Sequence, residues 1–268
     1  MRILALQPWD AGSHKAVRRS IERHSGHSWA WFNLPGKEVR WRMRLGAATL
    51  IGEVLKTEIL EEGVDSLFCT GLMDVAQLRA MLPARHRDLP IMLYMHENQL
   101  AYPMGPDVPD RDRERDGHLV ATNISSLLAA DHVVFNSEFN RDSFVSGLEG
   151  FLRHSKTRYP VAEWRERILN HSSICWPPVE PIPEAVLRNT TKDGYSDNGL
   201  VGWPHRFEHD KGPGELLDVI GRTSVELGLR FSLFGERYDS IPYFIHQPDV
   251  RRLGGILFQN WSKVSFDG

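Results

Sequence analysis

Short apolar runs alternate with amphipathic stretches over the first two thirds of the chain, the pattern of a parallel sheet crossed by helices. Strands are predicted at Ile3–Leu6, Ser28–Asn33, Ser66–Cys69, Ile91–Tyr94 and His132–Asn136. Between them, helices are predicted at Ser13–Arg23, Met43–Glu62, Val75–Met81, Leu119–Ala129 and Glu138–Arg153. Within the second helix, Leu45, Ala48, Leu50, Ile51, Val54, Leu55, Ile59 and Leu60 recur at near-helical spacing. Ser13 is placed to cap the first helix and Gly63 to end the second.

The character changes at WPPVEPIP, which is proline-dense, and NTTKDGYSDN, which is polar; together they read as a linker. Three segments follow: a first domain over 1–176, the linker over 177–198, and a second unit over 199–268. The second unit reads as strand Leu200–Trp203, helix Glu215–Leu227, strand Arg230–Phe234 and one more strand near Ile256–Phe258. So few strands make a poor independent sheet, and this unit reads as incomplete.

The 268 residues are 41% hydrophobic and 25% charged, ordinary for a soluble globular protein. No apolar run approaches the roughly 18–20 residues that span a bilayer. The opening MRILALQPWD reads as a buried strand rather than a leader. Cys69 and Cys175 form no disulfide framework and read as buried reduced thiols, which points to the cytoplasm. A net charge of −3 gives no global pull toward nucleic acid, so any RNA contact has to come from a local patch.

Ligands of open α/β sheets bind beyond the carboxyl ends of the strands, which directs attention to four strand-following loops. The first is Asp10-Ala11-Gly12-Ser13-His14-Lys15, where glycine lets backbone approach a ligand and a helix start offers N–H groups; a plain glycine turn explains it equally. The second, His96-Glu97-Asn98-Gln99, sets polar residues at a strand end, with His96 suited to acid/base work or to hydrogen bonding a sugar hydroxyl; a satisfied structural histidine is the plainer alternative. HENQL lacks the second histidine of the H-E-x-x-H zinc motif. The third, Asn136-Ser137-Glu138-Phe139-Asn140, has Ser137 as a helix cap and no nucleophile elbow around it.

The fourth loop runs Trp203-Pro204-His205-Arg206-Phe207-Glu208-His209-Asp210-Lys211-Gly212. Arg206 and Lys211 can converge on one diphosphate, the arginine as a fork and the lysine as a point charge; a solvated loop of mutually paired charges is the plainer alternative. Finally, Lys37, Arg40, Trp41, Arg42 and Arg44, with Arg18, Arg19 and Arg23 on the first helix, interleave cations with an indole. That pattern suits RNA phosphates and stacked bases, and a solvated helix face accounts for it as well. The run PDVPDRDRERDG, just after HENQ, reads as a flexible loop of mixed sign, with an acceptor lid as the alternative.

These blocks resemble the tRNA-queuosine mannosyltransferase family: Gly12-Ser13-His14-Lys15, Trp41-Arg42, His96-Glu97-Asn98-Gln99-Leu100 with Tyr102-Pro103, Phe135-Asn136-Ser137 with Phe139-Asn140, and Trp203-Pro204-His205-Arg206 with Glu208-His209-Asp210-Lys211. They stand in the family's order and span nearly the whole chain. The resemblance implies a GT-B-like α/β fold, with a Rossmann-like N-terminal domain on the acceptor side and the start of a second, nucleotide-sugar-binding Rossmann-like domain. It implies retaining transfer of mannose from GDP-mannose to queuosine in the anticodon of aspartate tRNA, with no cofactor, no metal and no membrane partner.

On this basis Arg206 and Lys211 match the pair that holds the donor diphosphate, with His205, Gly12 and Ser13 also on the donor side. His96 joins Arg206 and Lys211 as catalytic, while His14, Lys15, Glu97, Asn98, Gln99 and Asn136 face the acceptor. The family's later acidic, glycine-containing motif is not found, so a truncated second domain is expected. The alternatives are a GT-B enzyme with a non-tRNA acceptor and a non-catalytic nucleotide-sugar- or RNA-binding fragment.

Overall fold

The computed structural model describes residues 1–102, 110–153, 155–182, 184, 200–205, 211–227, 229–235 and 256–260. Two compact units divide at Glu180/Pro181. The first unit opens with β1 (Arg2–Asp10), α1 (Gly12–His24), β2 (Ser28–Pro35), α2 (Val39–Val54), β3 (Ser66–Thr70) and α3 (Val75–Met81). It continues with β4 (Ile91–Met95), α4 (Asp110–Ala129), β5 (His132–Phe135), α5 (Glu138–Leu152), α6 (Val161–Asn170) and β6 (Ser172–Ile174). All six strands are parallel, in the order β2-β1-β3-β4-β5-β6.

The strand order reverses between β1 and β3, and right-handed crossovers then decide where the helices go. The step from β1 to β2 runs one way and places α1 on one face of the sheet. The later steps run the other way and place their helices on the opposite face. There Leu4, Leu6, Leu67, Cys69, Leu93, Met95, Val133 and Phe135 are covered by Ala47, Leu50, Ile51, Leu78, Ile124, Phe144 and Leu148 from α2 to α5. The α1 face is smaller, with Ile3, Ala5, Phe68, Tyr94 and Val134 packed on Val17, Ile21, Trp29 and Trp31.

The five strands expected in this unit are all present, most of them longer by one or more residues, and the parallel α/β class holds. Several local expectations are corrected. Ser13 does not cap α1: the helix starts at Gly12 with Ala11 as N-cap, and Ser13 lies inside the first turn. Gly63 does not end α2, which stops at Leu55 after Val54 because Lys56 and Thr57 hydrogen-bond back as turns. Cys69 is buried, its thiol pushed up by desolvation, whereas Cys175 is exposed. Helix α6 and strand β6 lie in HSKTRYPVAEWRERILNHSSI, too polar to stand out by periodicity, and α6 buries Ile168 alone.

The second unit contains β7 (Leu200–Pro204), α7 (Pro213–Leu227), β8 (Arg230–Gly235) and β9 (Ile256–Asn260), a parallel sheet in that strand order. Its core is Ile220, Phe231 and Leu233, flanked by Trp203, Leu216, Leu217 and Leu229. Among the described residues, no helix is long and apolar enough to cross a membrane.

Candidate functional site

The carboxyl ends of β1 and β3 flank the topological switch point, where open α/β sheets bind ligands. Two histidines meet beside it. His14, on the first turn of α1, stacks on His96, which follows β4, with ring centroids 3.7 Å apart and planes at 21°. Tyr94 abuts His96 edge-on at 4.8 Å. Both imidazoles are buried, at 5% and 8% exposure, so neither ring is a solvated surface group.

Burial governs their charge. Desolvation holds His14 down to about 4, against a weaker upward pull from Asp10. His96 falls to about 2, again through desolvation, reinforced by His14. Both rings are therefore neutral at physiological pH, each with one donor and one acceptor nitrogen. Yet His14 Nδ1 and His96 Nε2 are buried without a protein partner among the described residues, as is Thr70 Oγ1 at the end of β3. Unpaired buried polar atoms are costly, and three of them at one sheet edge mark a place built for a polar ligand.

An asparagine network fixes the main chain that carries His96. Asn140 on α5 donates Nδ2 to Met95 O (3.0 Å) and to Asn136 Oδ1 (2.9 Å). Asn136 in turn donates Nδ2 to His96 O. Asn98 donates Nδ2 to Asn140 O and Oδ1, both at 2.9 Å, and its Oδ1 accepts from Ala101 N. Asn123 on α4 accepts from Gln99 N at 2.8 Å. Asn98 and Asn136, expected on the acceptor, thus spend these amide bonds on backbone and on Asn140.

Asn140→Ala would remove a donor from Met95 O and from Asn136 Oδ1, which keep Asn136 N and Ser137 Oγ as partners, and an acceptor from the Asn98 amide. A loss of about 1–3 kcal/mol in urea denaturation is expected, from buried hydrogen bonds lost. Asn140→Asp should recover little of it, because a carboxylate cannot donate to Met95 O.

Around this centre, Gly12 takes φ of 50° and Gly12 and Ser13 are exposed, while Lys15, Glu97 and Gln99 are half-buried. The glycine matters for conformation: its left-handed backbone starts α1 immediately after the extended Ala11. Asp10 does not point a free carboxylate at the site. It binds Gln7 Nε2 (2.7 Å) and the Arg18 guanidinium (3.0 Å), and Arg18 also pairs with Glu22.

In the second unit, His205 follows β7, is exposed, and sets its ring edge-on to Trp203 at 5.2 Å. Lys211 is half-buried and precedes Gly212, whose φ is 63°. Arg206 lies outside the described residues. Among those described, no group of three His, Cys, Asp or Glu side chains is arranged to hold a metal ion.

Sequence reading missed Thr70, Asn123 and the clamping role of Asn140. A signal existed for one of them: ATNISSLLA places Thr122, Asn123 and Ser126 among apolar residues, and all three are buried in α4. Ser126 shows the same logic, bridging Val75 N and Met73 O across to α3.

Parallel sheets of this kind in two successive units are shared with solved structures. The chain superposes on an alpha,alpha-trehalose-phosphate synthase (UDP-forming) from Burkholderia vietnamiensis with a TM-score of 0.56, 13% identity, and coverage of 97% of this chain and 72% of that one. It superposes on Anabaena HepE in complex with UDP and glucose with a TM-score of 0.52, 12% identity, and coverage of 97% and 68%. The fold class is that of the GT-B glycosyltransferases.

The family is narrower. Residues 2–179 match the tRNA-queuosine alpha-mannosyltransferase N-terminal family, and the chain belongs to that family. It is 29% identical over 249 residues to the tRNA-queuosine alpha-mannosyltransferase of Drosophila melanogaster. The match takes in 90% of this chain and 63% of that protein, so the chain spans under two thirds of its curated relative.

Proposed function

We propose that this chain belongs to an enzyme that moves mannose from GDP-mannose to queuosine in the anticodon of aspartate tRNA, with retention at the anomeric carbon. The observation that carries the reading is the buried, neutral His14–His96 stack with unpartnered ring nitrogens, at the switch point of a family member's sheet. Neutral imidazoles at a sheet edge suit hydroxyl groups, which both give and take hydrogen bonds. In this reading His96 acts as a hydrogen-bonding ring, since its depressed pKa leaves it without a proton to spare at neutral pH. His14 stands beside it, and Lys15, Glu97 and Gln99 line the acceptor side; Asn98 and Asn136 hold the loop in place.

The reaction breaks the bond between mannose C1 and the diphosphate and forms one between C1 and a hydroxyl of the cyclopentene-diol. Retention puts the incoming hydroxyl and the leaving group on the same face of the sugar. The hydroxyl proton then passes to the departing phosphate oxygen, and no protein base is consumed. Charge builds on that phosphate, and Arg206 and Lys211 are proposed to bind it; His205, Gly12 and Ser13 are proposed as further donor-binding residues. No metal ion is invoked, and the reaction is assigned to the cytoplasm.

The direct test incubates the protein with GDP-mannose and queuosine-containing aspartate tRNA, then weighs the released nucleosides. A hexose increment on queuosine is expected, absent with tRNA carrying guanine at that position. Folded protein giving no increment would reject the reading. An increment with UDP-glucose alone would reject the donor.

A further inference from the structure

The carboxyl edge of the sheet continues into the start of α2, whose electrostatics run against the helix that carries them. Between residues 37 and 45 the sequence is KEVRWRMRL, four cations against the single carboxylate of Glu38. Arg40 and Arg42 sit in the first turn of α2, which has no acidic residue and no side-chain cap from Glu38. Cations at a helix N-terminus oppose the helix dipole, and an approaching anion relieves that opposition.

The same surface is apolar where it should not be. Trp41 is 65% exposed and Leu45 49%, one turn apart and flanked by the exposed Arg40 and Arg44. Meanwhile Met43, Gly46, Ala47 and Leu50 bury the opposite side of the helix. On α1, Arg18 is held by Asp10 and Glu22 and Arg23 by Glu180, whereas Arg44 of α2 donates Nη1 to the neutral Thr122 Oγ1 at 3.3 Å. Arg42 Nε is buried without a protein partner among the described residues.

The loop that enters this patch runs beside α1: a Cβ on Gly36 would collide with Ala11 Cβ and lie 3.1 Å from the Trp9 ring, so that loop packs directly on the residue that caps α1. His14 is three residues further along.

We infer that the exposed rim of α2 is a docking surface for single-stranded RNA, with one unpaired base stacked on the Trp41 indole and neighbouring phosphates against Lys37 and Arg44. Stacking on an aromatic side chain tolerates any base, and cations beside it follow the backbone. The chain's net charge is −3, so the affinity is local to this rim. The inference rests on RNA being the acceptor, and supplies the grip that would hold an anticodon loop beside His14 and His96.

The test titrates the full chain against a labelled, unstructured RNA of about seven nucleotides, by fluorescence anisotropy across a range of salt. Trp41→Ala should weaken binding roughly tenfold and Trp41→Phe about threefold or less, since a smaller ring still stacks. Lys37→Gln with Arg44→Gln should lower the slope of log Kd against log salt by about 1.4, two single-strand phosphate contacts' worth. Wild-type protein blind to the RNA at low salt, or variants that bind as wild type does, would overturn the surface. So would loss of self-association in Trp41→Ala with RNA binding intact, which would assign the rim to a second copy of the chain. Hexose transfer is scored separately: transfer that is indifferent to these residues removes the surface and leaves the enzyme, whereas Trp41-dependent RNA binding without transfer does the reverse.

Discussion

Arg206→Ala is expected to lower kcat/KM for hexose transfer roughly 10²- to 10³-fold, the usual effect of deleting one donor to developing negative charge. The loss should fall mainly on kcat, because the charge on the departing diphosphate grows toward the transition state and is smaller in the bound donor. Arg206→Lys keeps the charge but not the planar fork, and should recover only part of the rate. Lys211→Ala should also slow transfer, by less, since one point charge replaces no forked contact. Measuring unfolding in parallel separates chemistry from folding: the rate should collapse while the urea midpoint stays put. Unchanged turnover in Arg206→Ala would remove the diphosphate role.

The second large effect is acid lability of the first unit. His14 and His96 are held at about 4 and about 2, below the ordinary 6.5 that they regain on unfolding. The sign follows directly. Above pH 6.5 both states are neutral and the pair contributes nothing to the pH dependence. As pH falls below 6.5 the unfolded chain takes up two protons that the folded chain refuses, so stability drops. Each refused proton costs about 1.4 kcal/mol per pH unit, making the fall on the order of 4 kcal/mol between pH 6.5 and 5 for the pair. The loss for His14 levels off near pH 4, where the folded ring also protonates. Urea denaturation at pH 7 and pH 5 measures it. Replacing both rings by asparagine should flatten the slope whatever it does to the absolute stability.

Much of this was legible in the chain. Isolated apolar runs such as LFC and IMLYM, buried between helices except at Met92, announce parallel strands, and the polar residues directly after them announce the ligand edge. HENQ directly follows one such run, and its histidine is at the centre of the candidate site. Other features depend on contacts that spacing does not encode. The partnership of His14 with His96 joins residues from opposite sides of β3, and only the strand order β2-β1-β3-β4 brings them together. The roles of Asn98 and Asn136 turned on Asn140, one helical turn past Asn136, whose amide faces inward. Helix α2 began four residues before its periodic stretch, since Val39 and Met43 pack on Trp9, Leu72 and Leu119 in a small cluster apart from the main core.

The Gly12 loop illustrates how a correct location can carry a wrong local reason. A serine near a helix start suggested a cap, yet the backbone at Ala11 is extended and Gly12 turns it at positive φ, so Ser13 enters the helix exposed. That shift matters because it sets the phase of α1: with the helix starting at Gly12, His14 and Val17 fall on its buried side.

The proposed function requires two stacked imidazoles that stay uncharged and keep a nitrogen each for substrate. Nitrogen-15 spectra of the histidine rings, recorded from pH 7 to 5 with and without a queuosine-bearing anticodon stem-loop, test this directly. The expected result is two neutral rings that refuse protons throughout, with His96 Nε2 and His14 Nδ1 moving when the RNA is added. Rings that titrate near 6.5 and ignore the RNA would contradict it.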